Sequence, residues 1–181
     1  IMLTKDIENN LMSGSNQDYS PTYAVKSGDY NVIRNNTITG GHSGIQLGIA
    51  NVIDSNSIDV SDRVFYGNNA SGTHIITNNN INKTGADRML HIQNADSVIV
   101  TNNTFLSTGG EGFYFENTYV DVRYNLLTTP GRGVHCENQV GGEIGNNTII
   151  SASSGDYGVH ITDLSSPVVR NNIIQGFQNG I

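Results

Sequence analysis

VIRNNTITGGHSGIQL, residues 32–47, sets two asparagines, Asn35 and Asn36, between two runs that otherwise read as strand. Asn is a poor strand former but tolerates the left-handed backbone conformations found in tight turns. The phrase also recurs. Aligned on the double Asn, the chain contains IENNLM (7–12), IRNNTI (33–38), IDSNSI (53–58), ITNNNI (76–81), VTNNTF (100–105), VRYNLL (122–127), IGNNTI (144–149) and VRNNII (169–174). The starts lie 20 to 26 residues apart. The fourth position is Asn in all eight copies: Asn10, Asn36, Asn56, Asn79, Asn103, Asn125, Asn147 and Asn172. The sixth is always apolar: Met12, Ile38, Ile58, Ile81, Phe105, Leu127, Ile149 and Ile174.

Between the copies lies a second phrase: YAV (23–25), IQL (45–47), FYG (65–67), LHI (90–92), FYF (113–115), VHC (134–136) and VHI (159–161). Its outer members are mostly apolar, the period-2 signature of a strand with one buried face. Each repeat therefore carries three short strands and three turns. No apolar stripe of period 3.6 is long enough for a substantial helix. A repeat of this length with three β segments reads as one coil of a parallel β-helix, with the whole chain, residues 1–181, a single domain of about eight coils. Coils about 4.8 Å apart would let the eight Asn side chains hydrogen-bond along the stack. The tripeptides Asn35-Asn36-Thr37 and Asn102-Asn103-Thr104 match glycosylation sequons, but they follow from this repeat.

On these repeats the chain resembles the right-handed parallel β-helix, pectin-lyase-like superfamily, whose members carry an Asn ladder in the turn between the second and third strands. The resemblance implies an extracellular or periplasmic setting and a long groove, lined by the first strand of each coil, that binds an extended acidic polysaccharide. It further implies lyase or C5-epimerase chemistry. The DPHD motif of alginate C5-epimerases, the paired-aspartate and GHG motifs of polygalacturonases and the RxPxxR stretch of pectate lyases are all missing. Site residues must therefore be argued from register.

Composition narrows the partners. The chain has 181 residues, enough for one sizeable core. A formal net charge of −7, with basic residues spread singly, argues against nucleic acid and anionic membrane surfaces. No apolar run reaches the roughly 18 residues of a membrane span. The 21 Gly and 25 Asn fit one turn made many times over. The single cysteine, Cys136, excludes an internal disulfide and a Cys-based zinc site; the register puts it inside, as an inert core thiol.

The register turns the middle member of each first strand outward: Ala24, Gln46, Tyr66, His91, Tyr114, His135 and His160. A parallel outward column runs Lys26, Gly48, Asn68, Gln93, Glu116, Glu137 and Thr162. The preceding loops add Asp62-Arg63, Asp87-Arg88, Glu111, Arg132 and Asp156-Tyr157. Second-strand outward positions, by contrast, are Arg34, Asp54, Thr77, Thr101, Arg123, Gly145 and Arg170, as suits a face that meets only water. Three of five His in one column mark the first-strand face as the candidate site, although like rings also stack for structural reasons.

β-Elimination from an acidic sugar needs a cation for the uronate, a base for the C5 proton and an acid for the leaving oxygen. Arg88 or Arg132 could neutralise, His135 could be the base, and Tyr114 the acid or base from the next coil. His91 and His160 would position substrate or assist. Glu116, Glu137, Tyr66 and Gln46 would bind substrate, and the two glutamates should raise the His pKa values. Catalytic candidates are thus His135, Tyr114, Arg132 and His91; no cofactor is expected. Alternatively, Glu116 and Glu137 on adjacent coils could form a hydrolase pair at the retaining spacing of about 5 Å. A different class of function is a non-catalytic, adhesive or tailspike-like carbohydrate-binding shaft, or a NosD-like accessory protein holding a metal on His135, His160 and Glu137. The chain opens mid-coil and ends where a new first strand would start. Without a capping helix at either end, it should be a fragment of a longer solenoid or self-associate through open ends.

Overall fold

In the computed structural model, which describes residues 6–14 and 23–181, three parallel sheets run the length of a solenoid. Sheet 1 collects the seven first strands, from Tyr23–Lys26 to Val159–Ile161; sheet 2 the eight second strands, from Asp6–Glu8 to Val168–Arg170; sheet 3 the eight third strands, from Leu11–Gly14 to Ile173–Gln175. The eight expected coils become seven complete turns plus one coil described in two sheets only. Residues 1–5, part of the stretch on which an uncapped start was inferred, lie outside the described residues. Among the described residues no helix is long and apolar enough to cross a membrane.

Each sheet is in register with the sequence repeat. In sheet 2, Ile7, Ile33, Ile53, Ile76, Val100, Val122, Ile144 and Val169 follow one another inward. In sheet 3 the sixth repeat positions do the same, from Met12 to Ile174. Most of both columns is fully buried, and Phe65, Phe105, Phe113 and Phe115 fill the middle of the core with edge-to-face contacts. Cys136 lies in this core with no exposure, and burial pushes its thiol up to about 12.

The turn between sheets 2 and 3 explains why the asparagines come in pairs. The first of each pair adopts a left-handed conformation, with φ between 55° and 58° at Asn9, Asn35, Asn78, Asn102, Asn146 and Asn171. Ser55 and Tyr124 take the same conformation in the remaining two coils. The second Asn of the pair points inward and forms the ladder. From Asn36 onward each ladder side-chain oxygen accepts from both the backbone N–H and the side-chain amide of the rung in the preceding coil, as Asn103 Oδ1 does from Asn79 N at 2.8 Å and Asn79 Nδ2 at 3.0 Å. The amide of Asn103 also donates to Ile76 O and Thr101 O. Unbroken from Asn10 to Asn172, the column pairs buried backbone N–H groups of the turn and gives its carbonyls a further donor.

Two polar residues of the interior escaped the sequence reading. His74 has no exposed surface; its Nδ1 accepts from Asn51 N–H, so Nε2 carries the proton and donates to Ala70 O at 2.7 Å. Burial lowers its pKa, keeping the ring neutral. Lys83 occupies the inward position that Val60 and Ser107 hold in neighbouring coils, with 1% exposure. Its ammonium donates to Gly85 O and Gly109 O, and burial lowers its pKa. It thus ties together the roots of two loops that reach the candidate site.

Candidate functional site on the outer face of sheet 1

The outward column of sheet 1 is continuous over six coils: Gln46, Tyr66, His91, Tyr114, His135 and His160 stand side by side in register. Below Gln46 the expected order fails, because Lys26 rather than Ala24 is its partner. A two-residue slip leaves inward and outward faces unchanged, so alternation alone cannot detect it. Beside this column, Asn68, Gln93, Glu116 and Glu137 are also in register, as expected.

The rings form an edge-to-face chain. Centroids lie 5.3 Å apart for Tyr66–His91, 4.9 Å for His91–Tyr114 and 5.2 Å for Tyr114–His135, with interplanar angles above 70°. His160 continues it at 4.8 Å from His135 and is itself stacked on Tyr157 at 4.3 Å. Tyr23, at the other end, stacks against Tyr66. The face is more closed than an outward column suggests: Tyr114 and His135 are each only 6% exposed. Loop side chains cover them. The Arg88 guanidinium lies 3.9 Å above the Tyr114 ring, Arg63 lies 4.5 Å above Tyr66, and Arg132 approaches His135.

Electrostatics depart from expectation at the histidines. The glutamates were expected to raise their pKa values. Instead His91 is lowered to about 4, first by burial and then by Arg88 and Arg63. His135 is lowered by burial, then Arg132 and His160; Glu137 pulls the other way and loses. Its Nε2 is 4.0 Å from Glu137 Oε2, too far for a strong hydrogen bond to the carboxylate. The tautomer follows from geometry. Arg132 can only donate, so His135 Nδ1, 3.1 Å from it, accepts and Nε2 holds the proton. Two ring nitrogens are buried without a partner, His91 Nε2 and His160 Nδ1.

Tyr114 links the two columns. Its hydroxyl is 3.0 Å from Glu116 Oε2 and 2.9 Å from Glu137 Oε2. Burial and the two carboxylates push the phenol well above its ordinary range, so it stays protonated. Glu116 also accepts from Asn138 at 2.9 Å and from Gln93, and these donors hold its carboxyl below the usual range.

Every arginine of this face already has a carboxylate. Arg63 pairs with Asp87. Glu111 lies between two guanidiniums, its Oε2 at 3.1 Å from Arg88 Nε and its Oε1 at 3.7 Å from Arg132 Nε. Asp87 is held low: burial would raise it, but the Arg88 backbone N–H and Arg63 outweigh that. These pairings, one coil apart, are invisible to strand register because loop geometry decides them. Gly110 illustrates it: at φ 75° it turns the loop before Glu111 where any Cβ would lie 2.1 Å from Asp87 O.

A further column was missed. Asn69, Asn94, Asn117 and Asn138 end the sheet 1 strands with φ between 48° and 57°. Asn117 and Asn94 hydrogen-bond down the stack to Asn69, while Asn138 turns to Glu116. Asn directly after each of four first strands was the available signal. Among the described residues, no group of three or more His, Cys, Asp or Glu is arranged to hold a metal ion.

The family model for the right-handed beta helix region matches residues 25–181. The chain belongs to that family. No curated protein and no solved structure matches it significantly.

Proposed function

We propose that this is a carbohydrate-active β-helix protein that holds an extended polysaccharide along the outer face of sheet 1. The observation that carries the proposal is the unbroken ring column from Tyr66 to His160, flanked by the hydroxyl-accepting carboxylates of Glu116 and Glu137. Sugars present apolar C–H faces and polar hydroxyl rims. The half-buried rings of Tyr66, His91 and His160 offer surface to the first, and fixed carboxylates and amides match the second. Gln46 and Gln93 extend the amide contacts.

The elimination chemistry implied by the family resemblance has partial support. His135 is neutral near pH 7, as a base must be, and Arg132 is adjacent. The same contact opposes it, since Arg132 occupies the basic Nδ1 and Nε2 is protonated. Tyr114, with its pKa raised and its proton shared between two carboxylates, is a reluctant acid. Binding is therefore the reading favoured by this resting geometry. A hydrolytic reading is favoured by one observation: both glutamate Oε2 atoms contact one hydroxyl, so they are about 6 Å apart at most, near the retaining range of roughly 5–5.5 Å.

Affinity electrophoresis through gels carrying xylan, mannan, galactan, β-glucan, alginate or polygalacturonate tests the proposal. At least one polymer should retard the protein. Tyr66→Ala and His91→Ala should weaken that retardation at least tenfold, whereas Thr77→Ala and Thr101→Ala on sheet 2 should not. Equal retardation of all four variants would overturn the placement. Release of reducing ends, abolished by Glu116→Gln and Glu137→Gln, would establish hydrolysis; unsaturated products absorbing near 230 nm would establish elimination.

A further inference from the structure

We infer that Glu111 is a specificity-determining residue that fills a paired-arginine seat on the sheet 1 face with the protein's own carboxylate, so that this face takes uncharged saccharides and rejects uronates. The inference rests on the proposed glycan-binding face and names its substrate class. It runs against the acidic polysaccharide that the family resemblance implies.

Recognition of a uronate needs guanidinium groups free to receive its carboxylate. On this face Arg88, Glu111 and Arg132 come from the loops of three successive coils, and the carboxylate of the middle coil bridges the two outer guanidiniums. Its two oxygens are divided, one to each arginine, as an incoming uronate's would be. All three side chains remain about 30% exposed, so the seat opens to the surface above the Tyr114 and His135 rings. The remaining groove arginine, Arg63, is taken by Asp87. The other carboxylates of the face, Asp62, Glu116, Glu137 and Asp156, carry no arginine partner and add negative charge. A polyanion thus meets filled arginine sites and, away from Lys26 at the first coil of the column, a repulsive surround. Sugar hydroxyls meet acceptors on Glu116 and Glu137 that are already committed to hydroxyl and amide donors.

Glu111 is also held from behind. Gly110 O accepts from Thr129 Oγ1 at 3.0 Å, and Lys83 pins Gly109 O at 2.8 Å. The loop that presents the carboxylate is anchored at two consecutive carbonyls, so the seat is filled by construction rather than by a side chain drifting into place.

Glu111→Gln keeps the shape and removes the charge. Electrophoresis of wild type, Glu111→Gln and the double variant Glu111→Gln/Arg88→Gln through the same six polymers, at low salt and at high salt, reads the effect. Wild type should be retarded by a neutral polymer and pass alginate and polygalacturonate freely. Glu111→Gln should gain retardation by the uronans of at least tenfold, lost at high salt and lost in the double variant, with neutral binding kept. Retardation of wild type by uronans as strong as that of Glu111→Gln overturns the inference while leaving the glycan-binding face intact. So does neutral binding with no uronan gain in Glu111→Gln. If no polymer retards wild type or either variant, the parent proposal falls and this inference with it. Circular dichroism guards against a misfolded variant; should Glu111→Gln unfold, Glu111→Ala provides the same comparison.

Discussion

Two columns of like side chains run the length of this solenoid, and they are built on opposite principles. The Asn ladder is uniform: eight identical residues, each amide paired and, from Asn36 onward, each side-chain oxygen accepting from the rung one coil away. The ring column on sheet 1 is mixed. It leaves His91 Nε2 and His160 Nδ1 without partners, buries phenol and imidazole beneath arginines, and depresses the pKa of two histidines. A column that serves only the backbone can be the same in every coil. A column that varies from coil to coil and leaves buried ring nitrogens unpaired is the one we assign to a ligand.

The largest expected effect breaks the first column. Asn103→Ala removes a rung: the Asn79 N–H and side-chain amide lose their shared acceptor in the interior, and Ile76 O and Thr101 O each lose a donor. Urea denaturation should show a loss of about 3 kcal/mol, with glycan retardation unchanged wherever the protein remains folded. A mid-column ladder residue that can be replaced at no cost would end the distinction.

Acid should instead act on three histidines, two of them in the second column and the third, His74, in the interior. His91, His74 and His135 are all depressed, so the unfolded chain binds protons before the folded one does. Their contribution is complete above about pH 6.5 and declines as the pH falls below it, for His91 until about pH 4. For His91 alone that loss is about 2–3 kcal/mol, read as the fall in urea midpoint between pH 7.5 and 4. His91→Gln should flatten that part of the profile. Below this window the lowered carboxylates Asp87 and Glu116 add further acid loss.

Tyr114→Phe is subtler. Without the shared hydroxyl, Glu116 and Glu137 face each other unbridged. Stability should fall by about 1–2 kcal/mol, and carboxyl NMR titration should find Glu116 titrating higher than in wild type. Smallest of all, and opposite in sign, is Tyr124→Asn. Tyr124 is 59% exposed and strained at φ 57° in a turn where six other coils use Asn. The substitution should stabilise by about 0.5–1 kcal/mol in the same urea assay.

How much of this was legible beforehand follows from the same contrast. Asn36, Ile33 and Ile38 could be placed from the repeat because coil stacking forces equivalent positions into contact. The column from Gln46 to His160 was legible for that reason too. Lys26 was displaced because a two-residue slip preserves the faces of a strand. The sign of the His135 shift was misjudged because it depends on how deeply Arg132 and its loop cover the ring. The seating of Glu111 between Arg88 and Arg132 was out of reach, since loops of varying length have no register to read. Lys83 was hidden by its charge, although its place two residues after Ile81 made it an inward position.

The most direct test of the central claim is a ring-proton and imidazole-nitrogen NMR titration of the protein with oligosaccharides of whichever of the six polymers retards it most. Signals of Tyr66, His91, Tyr114, His135 and His160 should shift together and saturate at one affinity, while His74 in the interior and Tyr119 on sheet 2 stay in place. Shifts concentrated on sheet 2 or sheet 3, with the sheet 1 rings unmoved, would contradict it.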